Sequence, residues 1–203
     1  MEGLLFHTLN EYLNEGEELH IVRALKWNAY LMIDLLKSFE QLNTQNSFVG
    51  FDLLYKFVNN VDFIICQRKD GSIDFDSVIN YLSILINCTD LPLGYVLIGN
   101  LLYSIMITED VPSKEFCRII ESFANDDVDQ HLHLAISNSR GVTWRGCFDG
   151  GQQERNLADH YAKIAQKVLP YSLRLKKVFD NLEQRYLADA ERMDKEALYN
   201  KYR

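Results

Sequence analysis

The residues best suited to chemistry lie in one stretch, Ser139-Arg140-Gly141-Val142-Thr143-Trp144-Arg145-Gly146-Cys147-Phe148-Asp149-Gly150-Gly151, which holds four of the ten glycines. Glycine permits unusual backbone angles and close approach of other groups. A glycine-rich turn entering a helix N-terminus can hold an anion on free N–H groups, and Arg140, Arg145 and Arg155 would add positive charge. The spacing matches neither the phosphate-loop nor the dinucleotide pattern. A nucleotide or anion site on Arg140–Arg155 is therefore one reading. A second is a structured connection, with Trp144 and Phe148 tucked into the core and the arginines paired with the acidic part of the chain. It is the favoured reading of the loop, because aromatic residues in loops usually anchor them. A third is a docking surface built on Arg140, Trp144, Arg145, Phe148 and Arg155, since tryptophan and arginine dominate protein-binding hot spots. The loop is predicted to be ordered, with Trp144 an anchor or a contact.

Three other patterns touch on chemistry. Cys147 near Asp149 could be a thiol nucleophile with His131, His133 or His160 as base, but it needs a positioned base and a lowered pKa, and no family signature accompanies it. His131 and His133 are two apart, so on a helix they face different ways and cannot share a metal as an i, i+4 pair does; one buried and one exposed histidine is expected. Asp70-Gly71-Ser72-Ile73-Asp74-Phe75 resembles the second half of a calcium-binding EF-hand loop. Setting Gly71 sixth puts Cys66 first, Arg68 third and Ser77 twelfth, which breaks the ligand set at both ends. The four cysteines, Cys66, Cys88, Cys117 and Cys147, form no C-x-x-C and no zinc spacing. Catalytic residues, a metal and a cofactor are thus not expected, and sparse cysteines suit a reducing cytoplasm.

Charge is unevenly spread. Residues 1–139 carry 8 Lys and Arg against 20 Asp and Glu, a net of −12, whereas residues 140–203 carry 13 against 9, a net of +4. An acidic body repels nucleic acid and anionic membrane and suits a basic protein partner. The basic end could contact nucleic acid or dock on the acidic body. Met1-Glu2-Gly3-Leu4-Leu5 lacks a basic leader region, so no secretory signal is expected. The most apolar stretch, Leu91 to Ile107, contains Pro92, Gly94, Gly99 and Asn100 and falls short of a membrane span.

The elements that must position these residues read as helices. Leu5, Leu9, Tyr12 and Leu13 have helical spacing, and Val22, Leu25, Ala29, Met32, Ile33, Leu36 and Phe39 predict one helix from about Glu17 to Leu42. Ser47 is a candidate cap for a helix carrying Phe51, Leu54, Phe57, Val58 and Val61. From Phe63 to Phe75, helix to about Cys66 and then a loop is favoured over a hairpin turning at Lys69-Asp70-Gly71-Ser72. Asp76 or Ser77 would cap the next helix, Pro92 would open another, and Ser113 and Asp126-Asp127 would begin two more. After the loop, Leu157, Tyr161, Ile164, Ala165 and Val168 mark one helix. Beyond Pro170, Leu175, Val178, Phe179, Leu182, Tyr186, Ala190 and Met193 mark a long second one. The fold class is all-α: a helical bundle or a short armadillo- or HEAT-like α-solenoid with a C-terminal αα-hairpin. The organisation is an acidic helical body over 1–139, the loop over 140–151 and the hairpin over 152–203, packed as one domain.

Gly150-Gly151-Gln152-Gln153-Glu154-Arg155, continuing with Leu157-Ala158 and Tyr161, resembles a segment of uncharacterised bacterial helical proteins. There it precedes a similar hairpin, which here ends near Tyr186, Ala190 and Asp194. The resemblance covers the last third of the chain, implies a bacterial origin and brings no activity with it. The functional expectation is a non-enzymatic protein-interaction protein of the immunity, antitoxin-like or defence-system kind.

Overall fold

A computed structural model describes residues 20–45, 49–59, 64–88, 90–91, 93–108, 110–141, 144, 146 and 148–202. Among them are nine helices and no β-strand, an all-α fold: α1 (His20–Trp27), α2 (Ala29–Gln45), α3 (Val49–Asn59), α4 (Phe75–Ile86), α5 (Gly94–Met106), α6 (Lys114–Phe123), α7 (Asp126–Ser139), α8 (Gln152–Val168) and α9 (Leu173–Lys201). The helix expected over Leu5–Leu13, the Ser47 cap and Pro92 lie outside the described residues. Among these residues, no helix is long and apolar enough to cross a membrane. The chain divides into two compact units, residues 1–101 and 102–203.

In the first unit, the single helix expected from Glu17 to Leu42 is two. Asn28 interrupts it by acting as a cap: its Oδ1 accepts the Leu31 N–H at 3.1 Å and its carbonyl accepts Met32 N–H at 3.2 Å. The apolar period runs through the break, so Val22, Leu25, Ala29, Met32 and Leu36 are all buried. The carbonyls that α1 leaves open at its end are satisfied from afar, Leu25 by the Tyr81 hydroxyl at 2.7 Å and Lys26 by the Cys66 N–H at 2.9 Å. Helix α2 packs on α1, α3 and α4.

The stretch before α4 is neither a helix to Cys66 nor a true hairpin. Cys66 has a φ of +54°, which a helix excludes, and one isolated antiparallel bridge joins Gln67 to Ile73. Local turn chemistry decides this. Asp70 Oδ1 accepts from the Ser72 N–H at 3.0 Å and its hydroxyl at 2.7 Å, and Gly71 takes a φ of +86°. The cap of α4 is Asp74, not Asp76 or Ser77; it accepts the Ser77 N–H at 3.1 Å.

In the second unit, Ser113 caps α6 as the sequence predicts, accepting the Phe116 N–H at 3.2 Å. Asn125 caps α7, whose first turn carries Asp126, Asp127 and Asp129 against the positive end of its dipole. Helices α8 and α9 form the expected antiparallel hairpin, and α9 also packs on α6 and α7. These two helices belong to the acidic stretch, so the charge boundary at 139/140 is not a packing boundary. Ser172 caps α9 and donates to Glu121 Oε1 at 2.7 Å, which also accepts the Arg174 N–H at 3.0 Å. Helix α9, with 29 residues, is about 44 Å long at the standard rise.

Candidate functional site

The loop between α7 and α8 is held at both ends by side chains of its own unit. At its start, Arg140 reaches Glu154 Oε1 at 2.7 Å, and Glu154 is only 1% exposed. Burying a carboxylate is costly unless it is paired; the Arg140 partner meets that need. The guanidinium also lies 5.4 Å from the centre of the Tyr186 ring, within cation–π range. Tyr186 stacks on Tyr161 at 5.6 Å, and Tyr161 stacks on Phe179 at 6.0 Å. Arg140 therefore closes the end of an aromatic column inside the hairpin. Burial first, then the neighbouring tyrosines, push the Tyr161 hydroxyl up to about 12.

At the loop's other end, Gly150 and Gly151 lie directly against α9. A Cβ on Gly151 would sit 2.3 Å from the Ala190 carbonyl oxygen and 2.4 Å from its Cα. The Gly151 N–H donates to Asp194 Oδ1 at 2.8 Å, and Arg155 pairs with the other Asp194 oxygen. The Gly151 hydrogen bond, then Arg155, hold the Asp194 carboxyl below the usual carboxylate range. The run from Gly150 to Arg155 is thus a clasp: two glycines for close approach, one glutamate for Arg140 and one arginine for Asp194.

Between the clamped ends, the side chains of the expected docking residues fall into two groups. Arg140 and Arg155 are paired with carboxylates, Arg140 on the buried Glu154 and Arg155 on a half-exposed Asp194. Trp144 is 92% exposed and Phe148 67% exposed, which overturns the expectation that they tuck into the core. The hairpin interior is already filled by the Tyr161, Phe179 and Tyr186 rings, and glycine backbone rather than an aromatic side chain fills the space against α9. Arg145 and Cys147 lie outside the described residues. Gly141 turns the chain out of α7 with a φ of +65°, and Asp149 Oδ2 accepts the Gly146 N–H at 2.8 Å. A groove of about 670 Å³ runs from Phe148 and Gly150 along Asp194, Ala197 and Leu198. Helix α9 continues beyond Asp194 to Lys201 and exposes Leu198, Tyr199 and Tyr202. The sequence reading missed these three, although the nine-residue step from Ala190 places Tyr199 on the far side of α9.

A second, polar cavity of about 290 Å³ lies between α7 and α9, lined by residues that include Asp126, Asp129, His133, Arg174, Lys177 and Asn181. Arg174 bridges Asp126 at 2.9 Å and Asp129 at 2.6 Å. Burial raises the Asp129 carboxyl pKa even with Arg174 beside it. Burial, then Arg185, lowers that of His133. His131 and His133 are both half-buried, not one buried and one exposed. His131 Nδ1 sits 2.8 Å from the Asp127 carbonyl one turn earlier. Among the described residues no three His, Cys, Asp or Glu side chains could hold a metal ion together. Burial pushes the Cys66 and Cys117 thiols up to about 11, the state of inert core cysteines.

Comparison of this chain with protein-family models, with curated proteins and with solved structures finds no match.

Proposed function

We propose that the chain is a non-enzymatic interaction protein that docks a basic protein partner through the loop between α7 and α8. One observation carries this reading: Trp144 stands 92% exposed on a loop whose two ends are tied down, by Arg140–Glu154 and by Gly151–Asp194. A flexible linker needs neither the clamps nor the tryptophan. A large aromatic side chain displayed on a fixed support loses little entropy on binding, which is what hot-spot residues require. Phe148 and the groove beside it extend the same surface. The net charge of −12 over residues 1–139 would attract a basic partner and speed encounter. An immunity or antitoxin-like protein, or a subunit of a defence system, has these needs: a fixed docking loop and charge opposite to its target.

The alternatives draw less support from the geometry. An anion site would need Arg140 and Arg155, and both already hold carboxylates. Nucleic-acid contact through the basic end would draw on a net charge of only +4, and five of its thirteen cations, Arg140, Arg155, Arg174, Lys176 and Arg192, are already paired with Asp or Glu.

The test is a matched capture from the native host, with wild type and Trp144→Ala as baits. A protein retained by wild type and lost by the variant, with an association rate that falls as salt rises, supports the proposal. Equal retention by both baits, or a rate indifferent to salt, refutes it.

A further inference from the structure

The C-terminal half of α9 carries a second surface, which meets the groove beside Phe148 at Leu198. At about 100° per residue, the side chains that bury α9 in its unit, among them Phe179, Leu182, Tyr186 and Ala190, follow one line along the helix. Leu187, Glu191, Lys195 and Tyr199 succeed one another at four-residue steps, a row that winds from the flank of that line to its far side at about 40° per step, with Leu198 and Tyr202 alongside. All six are exposed; Leu198, Tyr199 and Tyr202 are 57%, 65% and 78% exposed. Scattered apolar residues on a surface need no explanation, but Leu187, Leu198 and Tyr199 along one side of α9, with Tyr202 at its C-cap, are what a docking surface would present. Arg192, off the stripe, pairs with Asp189 at 2.8 Å. Among the described residues Glu191 and Lys195 make no such pair.

We propose that this stripe binds the same stripe of a second copy of the chain, the two α9 helices crossing antiparallel about a two-fold axis midway between Glu191 and Lys195. The order along the row is apolar, acidic, basic, apolar. Reversed against itself, it sets Leu187 on Tyr199 of the other copy and Glu191 on Lys195. The two-fold axis repeats both contacts, as a self-complementary interface must. In the same register Leu198 falls on Ala188, a small residue that leaves it room. Parallel pairing in register would instead set Glu191 on Glu191 and Lys195 on Lys195, which like charges disfavour. The charges thus select both the partner and its direction, while the leucines and tyrosines supply the buried area.

The inference does not rest on the docking loop, and the test keeps the two apart. Sedimentation of the full chain should show a concentration-dependent dimer. Glu191→Lys or Lys195→Glu alone turns two attractive contacts into two repulsive ones and should weaken the dimer by about tenfold or more. The double variant Glu191→Lys/Lys195→Glu only reverses the order of the pair, so it should recover the wild-type dimer. Circular dichroism of each variant should match wild type, because both positions are exposed. Trp144→Ala should leave the dimer unchanged. A wild-type chain that stays monomeric through the high-micromolar range overturns the proposal. So does a dimer indifferent to the single reversals, or one that the double reversal fails to restore.

Discussion

Gly151→Ala isolates the clasp. Gly151 has φ −81° and ψ 24°, angles that alanine accepts, so the substitution introduces no backbone strain of its own. Its cost is steric. The new Cβ would lie 2.3, 2.4 and 2.6 Å from the oxygen, Cα and carbonyl carbon of Ala190. Restoring ordinary contact requires the start of α8 to move about 1 Å from α9, because protein interiors leave no slack and backbone atoms have no alternative rotamer. That shift stretches the 2.8 Å bond from the Gly151 N–H to Asp194 beyond hydrogen-bonding range. Overpacking of about 1–3 kcal/mol and a charge-assisted bond worth about 1.5 kcal/mol together give about 2.5–4.5 kcal/mol. For a chain of 203 residues this corresponds to a loss of roughly 5–15 °C in melting temperature. Thermal and urea melts followed by circular dichroism would measure it. Ala190→Gly should not rescue the variant, since the clashing atoms are main chain. Gly141→Ala, at φ +65° with nothing within 4 Å, should cost only about 1 kcal/mol through its backbone angle. A Gly151→Ala protein that melts with wild type would refute the close approach of α8 and α9.

Arg140→Met should destabilise the second unit by about 3–5 kcal/mol in urea melts, because it breaks the ion pair on a buried Glu154; Glu154→Gln in the same chain should recover part of that loss. Trp144→Ala should change stability by less than about 0.5 kcal/mol, as expected for an exposed side chain. Burial and Arg185 hold His133 below the ordinary histidine value of 6.5, so the unfolded chain takes up its proton first. Stability from this group is present above about pH 6.5 and falls as pH drops toward the lowered value. His133→Gln should flatten stability against pH over that interval.

The helices are legible because their apolar residues recur with helical period, and that signal survives even where the helix does not. Val22 to Leu36 keep one buried face through the Asn28 cap, so the period gives no warning of the break; only the capping ability of asparagine does. Ser113 was readable because it stands three residues before Phe116, which opens the helical period Phe116, Ile119, Ile120 and Phe123. Asp74 was not, since Asp74, Asp76 and Ser77 are all competent caps and backbone geometry chooses among them. Within the candidate site, the glycine pair before α8 announces a close approach, but its target, Ala190, is some forty residues away and nothing local names it. The partner of Arg155, Asp194, is hidden for the same reason. Composition suggested that Trp144 and Phe148 anchor the loop. Glu154 and Gly151 perform that task instead, one through a buried ion pair and the other through having no side chain, and neither is a residue type associated with anchoring. The exposed row on α9 went unread because Glu191 and Lys195 lie between its apolar members, so it has the look of an ordinary solvated face.

The most direct test of a docking role for the loop is the ratio of Kd values for the captured partner, measured by calorimetry with wild type and with Trp144→Ala of matched melting temperature. A hot-spot tryptophan predicts a loss of about 2 kcal/mol or more, a Kd raised at least about 30-fold. An unchanged Kd would contradict the docking role and leave the clamped loop a structural connection.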